Sequence, residues 1–386
     1  MNKYNFDNIV DRRNTSSHKW NVKENELPMW VADMDYAVLP EVVTAIKDRA
    51  DISAYGYTEV PEEFFSCYCA WWKKRHHVIF SPYKMIFSTG VVAALDSIFK
   101  HLLPSHSGVV LLTPIYHTFF HCVENNNHQA ISCPLINNGE QYFIDFVSLE
   151  NLLKQDNVKA FLLCNPHNPI GRIWEKEELR KIAELCSKYD VLLISDEIHC
   201  DIVEPGYQYV PISSVCDNAI TLISPTKAFN LAGLQTSCIV CPNIEIHYAL
   251  QKAVYMDDVG EPNYFACSAN IAAYTYGEQW LDEMNEYVYQ NKKYFIDFIN
   301  KEIPQLSVCD NKATYMLWVN ISSISQNSRQ FCDELRKETG LFVSPGAQFG
   351  LGGEGHFRIN IATSLTNVKD ACLRLKTFVQ NYGKNH

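Results

Sequence analysis

The residues best suited to chemistry lie in four short polar clusters, each directly following an apolar run. They are Thr89-Gly90, Asn165-Pro-His-Asn-Pro-Ile-Gly171, Asp196-Glu-Ile-His199 and Ser224-Pro-Thr-Lys227. Lys227 stands in apolar sequence just beyond Ile220-Thr-Leu-Ile. An amine desolvated there, or placed beside a cationic ring, has a lowered pKa and stays nucleophilic toward a carbonyl. Asp196 offers a carboxylate that can keep a ring nitrogen protonated. Gly90, followed by Val91-Val92-Ala-Ala-Leu, fits a tight turn into a helix whose first N–H groups face a phosphate, with the Ser224 hydroxyl added. An amine for an aldehyde, an anion under a ring nitrogen, a phosphate cradle and a ring clamp are what pyridoxal phosphate (PLP) asks of a protein. Singly the clusters are ordinary: Asn-Pro-x-Asn-Pro reads as a turn, and an acid after a strand reads as a helix cap.

The elements that must position these residues follow from the apolar pattern. Met85-Ile-Phe, Val109-Val-Leu-Leu, Ala160-Phe-Leu-Leu, Val191-Leu-Leu-Ile, Ile220-Thr-Leu-Ile and Ser237-Cys-Ile-Val read as buried strands. Between two of them, the stretch from Glu175 to Cys186 has helical spacing. Alternating strands and helices imply an α/β fold with a mainly parallel sheet covered on both faces. Such a sheet binds ligands at the carboxyl ends of its strands, so the four clusters would meet in one crevice. A long amphipathic helix is expected over Gln279 to Ile303, stopped by Pro304, leading to a smaller part with strands at Ala313–Val319 and Phe357–Ala362. A chain of 386 residues is long for one simple core. The expected division is a large domain over 46–280, a C-terminal small domain over 281–386, and an N-terminal segment, 1–45, belonging to the small domain.

Other classes are disfavoured. The net charge is -11 with no clustered basic face, against a nucleic-acid partner. Met1 to Trp20 is polar and reads as neither signal peptide nor membrane helix, so a cytoplasmic location is expected. The fourteen cysteines then read as reduced thiols, most of them single within apolar runs. Cys238 and Cys241 form a C-x-x-C without a second pair, and His117 and His121 lack the glutamate of a zinc-protease helix, so no metal is expected. Ser224-Pro-Thr-Lys227 also satisfies the S-x-x-K pattern of serine acyl-enzymes, but the partner motifs S-D-N and K-T-G do not occur. Gly350-Leu-Gly-Gly-Glu-Gly355 matches a dinucleotide fingerprint but leads into a strand-like run, so it reads as a loop.

Together these motifs resemble fold-type I PLP enzymes of the aminotransferase superfamily, and within it the MalY/PatB-type cystathionine beta-lyases, a group of carbon–sulfur lyases. The likeness runs from Trp30-Val-Ala-Asp-Met-Asp35 to Phe357-Arg-Ile-Asn-Ile-Ala362, and Asn165–Arg172 and Asp196–Asp201 are its most specific stretches. The resemblance implies a Schiff base on Lys227 and Asp196 under the ring nitrogen. It also implies Tyr116 stacked on the ring, Asn168 on the ring oxygen and Ile198 on the opposite face. His199 joins the cofactor set, and Tyr57 reaches the phosphate of a neighbouring subunit, which makes a homodimer. Arg358 would grip the substrate carboxylate, with Ala32 and Asn168 beside it. Two positions depart from the family pattern. His117 stands where many members have a second tyrosine, and Gln235 stands where many aminotransferases have a phosphate-binding arginine. The implied reaction is α,β-elimination from L-cystathionine or a related S-substituted cysteine, giving a thiol, pyruvate and ammonia. The alternative is an aminotransferase, which uses the same lysine, aspartate and arginine.

Overall fold

The computed structural model describes residues 3–385; Met1, Asn2 and His386, the outer limits of the expected terminal segments, lie outside the described residues. Seven runs build one sheet: β1 (Met85–Ser88), β2 (Gly108–Thr113), β3 (Gln129–Pro134), β4 (Val158–Cys164), β5 (Leu192–Asp196), β6 (Ile220–Ile223) and β7 (Ser237–Val240). Their spatial order is β1-β7-β6-β5-β4-β2-β3. All pairings are parallel except those of β7, which runs antiparallel to both β1 and β6. Two antiparallel steps restore direction. The carboxyl ends of β1, β2, β4, β5 and β6 therefore share one edge, and the four polar clusters leave the sheet there.

The all-apolar strands are covered on both faces because alternate side chains point to opposite sides. Val109 and Leu111 of β2 pack with Leu95 and Ile98 of helix α1 (Val91–Leu102). Val110 and Leu112 pack instead with the cluster holding Leu179 and Ile182 of helix α2 (Lys176–Lys188). The N-terminus of α2 is tied by the Glu178 carboxylate, which accepts the Glu175 backbone N–H at 2.9 Å. The loop after β4 is pressed against the C-terminal part through Gly171. Its φ is +67°, and a Cβ there would stand 2.2 Å from the Asn311 side chain, so only glycine fits.

Helix α3 (Glu278–Glu302) leads to a four-stranded antiparallel sheet of β8 (Ser307–Val308), β9 (Met316–Asn320), β10 (Ser344–Pro345) and β11 (His356–Asn360), ordered β8-β9-β11-β10. Strand β9 starts later than the expected Ala313 because Thr314 takes φ +69°, which breaks the ladder. Arg358 lies opposite Trp318 in this sheet. The N-terminal segment spans both parts. Leu27–Pro28 pairs in parallel with Leu341–Phe342, and the chain then crosses to the large sheet, where the Asn230 amide donates to the carbonyls of Met34 (3.2 Å) and Tyr36 (2.9 Å). Gly350–Gly355 forms a loop that feeds β11, not a helix.

Candidate active site

At the shared strand edge lies a cavity of about 300 Å3. Lys227, Asp196, Tyr116, Asn168, Gly90, Val91, Val92, Ile198, His199 and Ala32 all line it. Asp196 ends β5, Lys227 follows β6, Asn168 follows β4, and Tyr116 follows β2. Gly90 caps α1 directly after β1. The first N–H groups of a helix have no intrahelical partners, and those of α1 sit at the cavity wall. Nothing stands within 4 Å of where a Cβ on Gly90 would be, so the space before the helix is open.

The two acids after β5 face opposite fates. Glu197 is buried and saturated: it accepts the hydroxyls of Tyr209 and Ser195, the Ile212 N–H at 3.0 Å and the Asn165 amide at 3.3 Å. Asp196 is buried too, yet its carboxylate accepts a single N–H, from Ile198 at 3.0 Å, among the described residues. Burial pushes its carboxyl up to about 7, with the Ile198 N–H opposing, Glu197 adding and Lys227 opposing. A buried, under-partnered carboxyl facing a cavity would be held ionised by a cation placed there.

Lys227 is held by the main chain of the N-terminal segment: its Nζ donates to the Ala32 carbonyl at 2.8 Å, which also accepts the Tyr315 hydroxyl at 3.2 Å. Burial pulls its pKa below the ordinary lysine value; Asp33 opposes this, Arg358 adds to it and Asp196 opposes it. Ser224 does not reach Lys227 or the cavity. Its hydroxyl donates to the Thr236 carbonyl at 2.6 Å and accepts the Thr226 N–H at 3.1 Å, whereas Thr226, Gln235 and Thr236 line the wall. That arrangement gives no support to an acyl-enzyme serine.

Arg358 lies behind Asn168. One guanidinium nitrogen donates to Asn168 Oδ1 at 3.0 Å and another to the Trp30 carbonyl at 2.9 Å, while Nε is buried without a partner among the described residues. Burial draws its pKa down to about 10, so it remains cationic at neutral pH. His117 lies near Arg358, next to Tyr116 and Phe349, and burial, aided by the Arg358 charge, pulls its pKa to about 4. His199 is buried and held neutral, pulled to about 3 by burial and then by Lys227 and Arg358. Tyr57 stands apart from the cavity, fully exposed on an irregular stretch between helices. Sequence reasoning missed Tyr315, Thr226 and the acceptor role of Ala32. Thr226 was open to discovery, being one residue from the lysine; Tyr315 comes from a distant segment without a local signal, and Ala32 was expected beside the substrate carboxylate but not as the acceptor of Lys227.

A larger cavity of about 650 Å3 opens elsewhere, lined by the ion pair Arg75–Asp282 and the hydrogen-bonded His76 and Asp201. His76, Cys200 and Asp201 there hold potential ligand atoms within 4.8 Å of one another. The Asp201 carboxylate is already engaged by Trp71 Nε1 at 3.0 Å and by His76 at 2.9 Å. The one lysine lining this cavity among the described residues, Lys74, is already paired with Glu278.

The comparisons with known proteins bear on the first cavity. The aminotransferase class I and II family model matches residues 24–375. The chain belongs to this family. Within the aminotransferase class I and II family it is similar to the cystathionine beta-lyase PatB of Bacillus subtilis, at 35% identity over 96% of this chain and 99% of that protein. Its structure is similar to cystalysin from Treponema denticola, which contains pyridoxal 5'-phosphate (TM-score 0.94, 31% identity, 98% of this chain and 99% of that one). It also resembles the PLP-bound C–S lyase from Staphylococcus hominis (TM-score 0.90, 33% identity, 97% and 98% covered). The fold is therefore the fold-type I PLP arrangement of this family. The residues present fit the cofactor: an open cradle before α1 for its phosphate, Asp196 for its ring nitrogen and the Lys227 amine for its aldehyde.

Proposed function

We propose that the protein is a PLP-dependent carbon–sulfur beta-lyase that cleaves L-cystathionine or related S-substituted cysteines. The observation that carries this reading is the buried Lys227 amine facing the under-partnered Asp196 across one cavity, in a chain similar to carbon–sulfur lyases over nearly its whole length. Lys227, Asp196, Asn168 and the N-terminus of α1, with Tyr116 and Ile198, would hold the cofactor, which would supply an electron sink for charge developing at the substrate Cα.

The chain's own groups do the rest. Arg358 presents its fork to the substrate carboxylate and, through Asn168 and Trp30, is fixed in orientation. The Lys227 amine would accept the Cα proton, a task that burial favours by lowering its pKa from the ordinary lysine value. Loss of the thiolate from Cβ then leaves a product that hydrolyses; overall, cystathionine and water give homocysteine, pyruvate and ammonia. An aminotransferase shares these groups and is the second reading that membership of the aminotransferase class I and II family favours. The neutral Gln235 on the cavity wall, in place of a phosphate-binding arginine, supports the lyase. The test is a panel of L-amino acids: cystathionine, cystine and S-alkyl cysteines should release thiol or persulfide, and L-alanine, which has no leaving group, should release nothing. Turnover of alanine with a 2-oxo acid, and none of the sulfur substrates, would reverse the assignment.

Arg358→Ala should raise KM by roughly 10- to 100-fold, the worth of a charged hydrogen-bond pair, while the bound cofactor spectrum stays intact. Arg358→Lys should recover little, because a point charge cannot reproduce the fork. Steady-state kinetics on cystathionine check both; wild-type kcat/KM in Arg358→Ala would remove the residue from the substrate site.

The active unit in this reading is a cytoplasmic homodimer. The fourteen free thiols suit a reducing compartment, and among the described residues no helix is long and apolar enough to cross a membrane. Full exposure of Tyr57 supports a role at the partner's site, because a tyrosine ring left in water gains nothing from this chain. Tyr57→Ala, if its loss of PLP is severe enough, and Lys227→Ala, both inactive alone, should recover about one quarter of wild-type activity when mixed under subunit exchange, because a random mixed dimer has one site free of both defects. No recovery despite proven exchange would place both residues in one chain's site.

A further inference from the structure

Segment 30–35 reaches the cavity at Ala32, and its backbone carbonyls hold side chains of the site. Trp30 O accepts Arg358 at 2.9 Å, and Ala32 O accepts Lys227 at 2.8 Å. Val31 O and Asp33 O accept the Asn360 amide at 2.6 and 2.8 Å. Carbonyls hold a cation in register only if the strand bearing them is itself fixed, and here the fixing is ionic. Arg12 donates from one nitrogen to both oxygens of Asp33, each at 2.9 Å, and from the other to Asp35 at 2.9 Å. Lys19, fully buried, pairs with Asp35 at 2.9 Å and donates to Asp33 O at 2.9 Å, while Trp20 Nε1 donates to Asp35 at 2.7 Å. Asp35 is thus consumed by Lys19, Arg12 and Trp20. Asp33 has only Arg12 on its carboxylate among the described residues, and stands next in the chain to the carbonyl that holds Lys227.

We infer that Asp33, clamped by Arg12, is a positioning residue that supplies the counter-charge for the Lys227 amine across the Ala32 carbonyl and so governs when that amine carries a proton. The inference rests on the PLP reading of the cavity. Charged and titratable groups face Lys227 from several sides: Asp33 on the crossing segment, Asp196 from the end of β5 and His199 just beyond it, Arg358 from β11, and Tyr315 beside Ala32 O. Asp33 is one peptide link from the carbonyl that holds Lys227, and Arg12 tempers its charge at a site where Asp33 is about one-fifth exposed. The pair is therefore a dial with two opposed ends. Removing the anion should make the lysine nitrogen easier to deprotonate, and removing the cation should make it harder, even though both changes break the same ion pair.

The test is a pH titration of the visible absorbance of the PLP-loaded protein, which reports protonation of the nitrogen that links Lys227 to the cofactor. Asp33→Asn should move the midpoint down, and Arg12→Ala should move it up, each by about half a unit or more, as expected for a neighbouring charge gained or lost. Thermal midpoints of both variants should fall together, since the same clamp is lost. If either fails to yield folded holoenzyme, Asp33→Ser and Arg12→Gln remove the same charges and carry the same opposed expectations. Midpoints that stay put, or that move in one direction in both variants, would overturn the proposal and leave the pair a structural clamp. A wild-type protein with no lysine-linked chromophore would instead overturn the PLP reading, and this proposal with it; the presence of the chromophore separates the two failures.

Discussion

Lys227→Ala is expected to abolish turnover and to leave PLP without a covalent hold. The amine has two tasks in the account, anchoring the cofactor and accepting the Cα proton. Loss of the base alone costs ~10²–10⁴-fold. Among the described residues no other side-chain amine lines the cavity, and burial lowers the pKa of Arg358, behind Asn168, only to about 10, too high for a base. Borohydride reduction followed by peptide mapping should place the pyridoxyl adduct on Lys227 in the wild type and find none in the variant. An adduct elsewhere on the variant chain would remove Lys227 from its role. Lys227→Arg should fail as well, since a guanidinium is protonated throughout the working range.

Asp196→Ala is expected to have the next largest effect. The carboxyl is buried, with one N–H donor among the described residues, and burial pushes its pKa up to about 7. A protonated ring nitrogen completes the pair, and deleting one member of a buried pair typically costs ~3–5 kcal/mol. The alanine variant should therefore bind PLP weakly and lose nearly all elimination. Asp196→Asn separates binding from chemistry: the cofactor should remain linked to Lys227 through its aldehyde while the rate collapses, because an amide cannot hold the ring nitrogen protonated. Asp196→Glu should retain some activity. At matched occupancy, wild-type turnover in Asp196→Ala would contradict the role.

The site was legible where its residues follow strands directly. Lys227, Asp196, Asn168 and Gly90 each stand just past an apolar run, and an open sheet sends such residues to one edge. The local pattern could not say which side chain of a cluster faces inward. Ser224 turns to Thr236 while Thr226 lines the wall, because the turn after β6, not composition, sets their directions. Strand β3 escaped notice since Gln129–Pro134 is an edge strand, half-exposed and short of apolar residues. The reversed direction of β7 was hidden for a different reason. Its path from β6 runs through the lysine turn without a crossover helix, and only such a helix would have announced a parallel step. Least legible was segment 30–35. Its partners lie at Arg12, Lys227 and Arg358, and contacts across such separations leave no periodicity.

The most direct measurement follows L-cystathionine by proton NMR with PLP-loaded protein and no 2-oxo acid. Elimination consumes only cystathionine and water and needs no amino acceptor, so homocysteine and pyruvate should accumulate in equal amounts over many turnovers per site. A reaction that stops near one turnover per site, and resumes only when a 2-oxo acid is added, would show transamination and contradict the account.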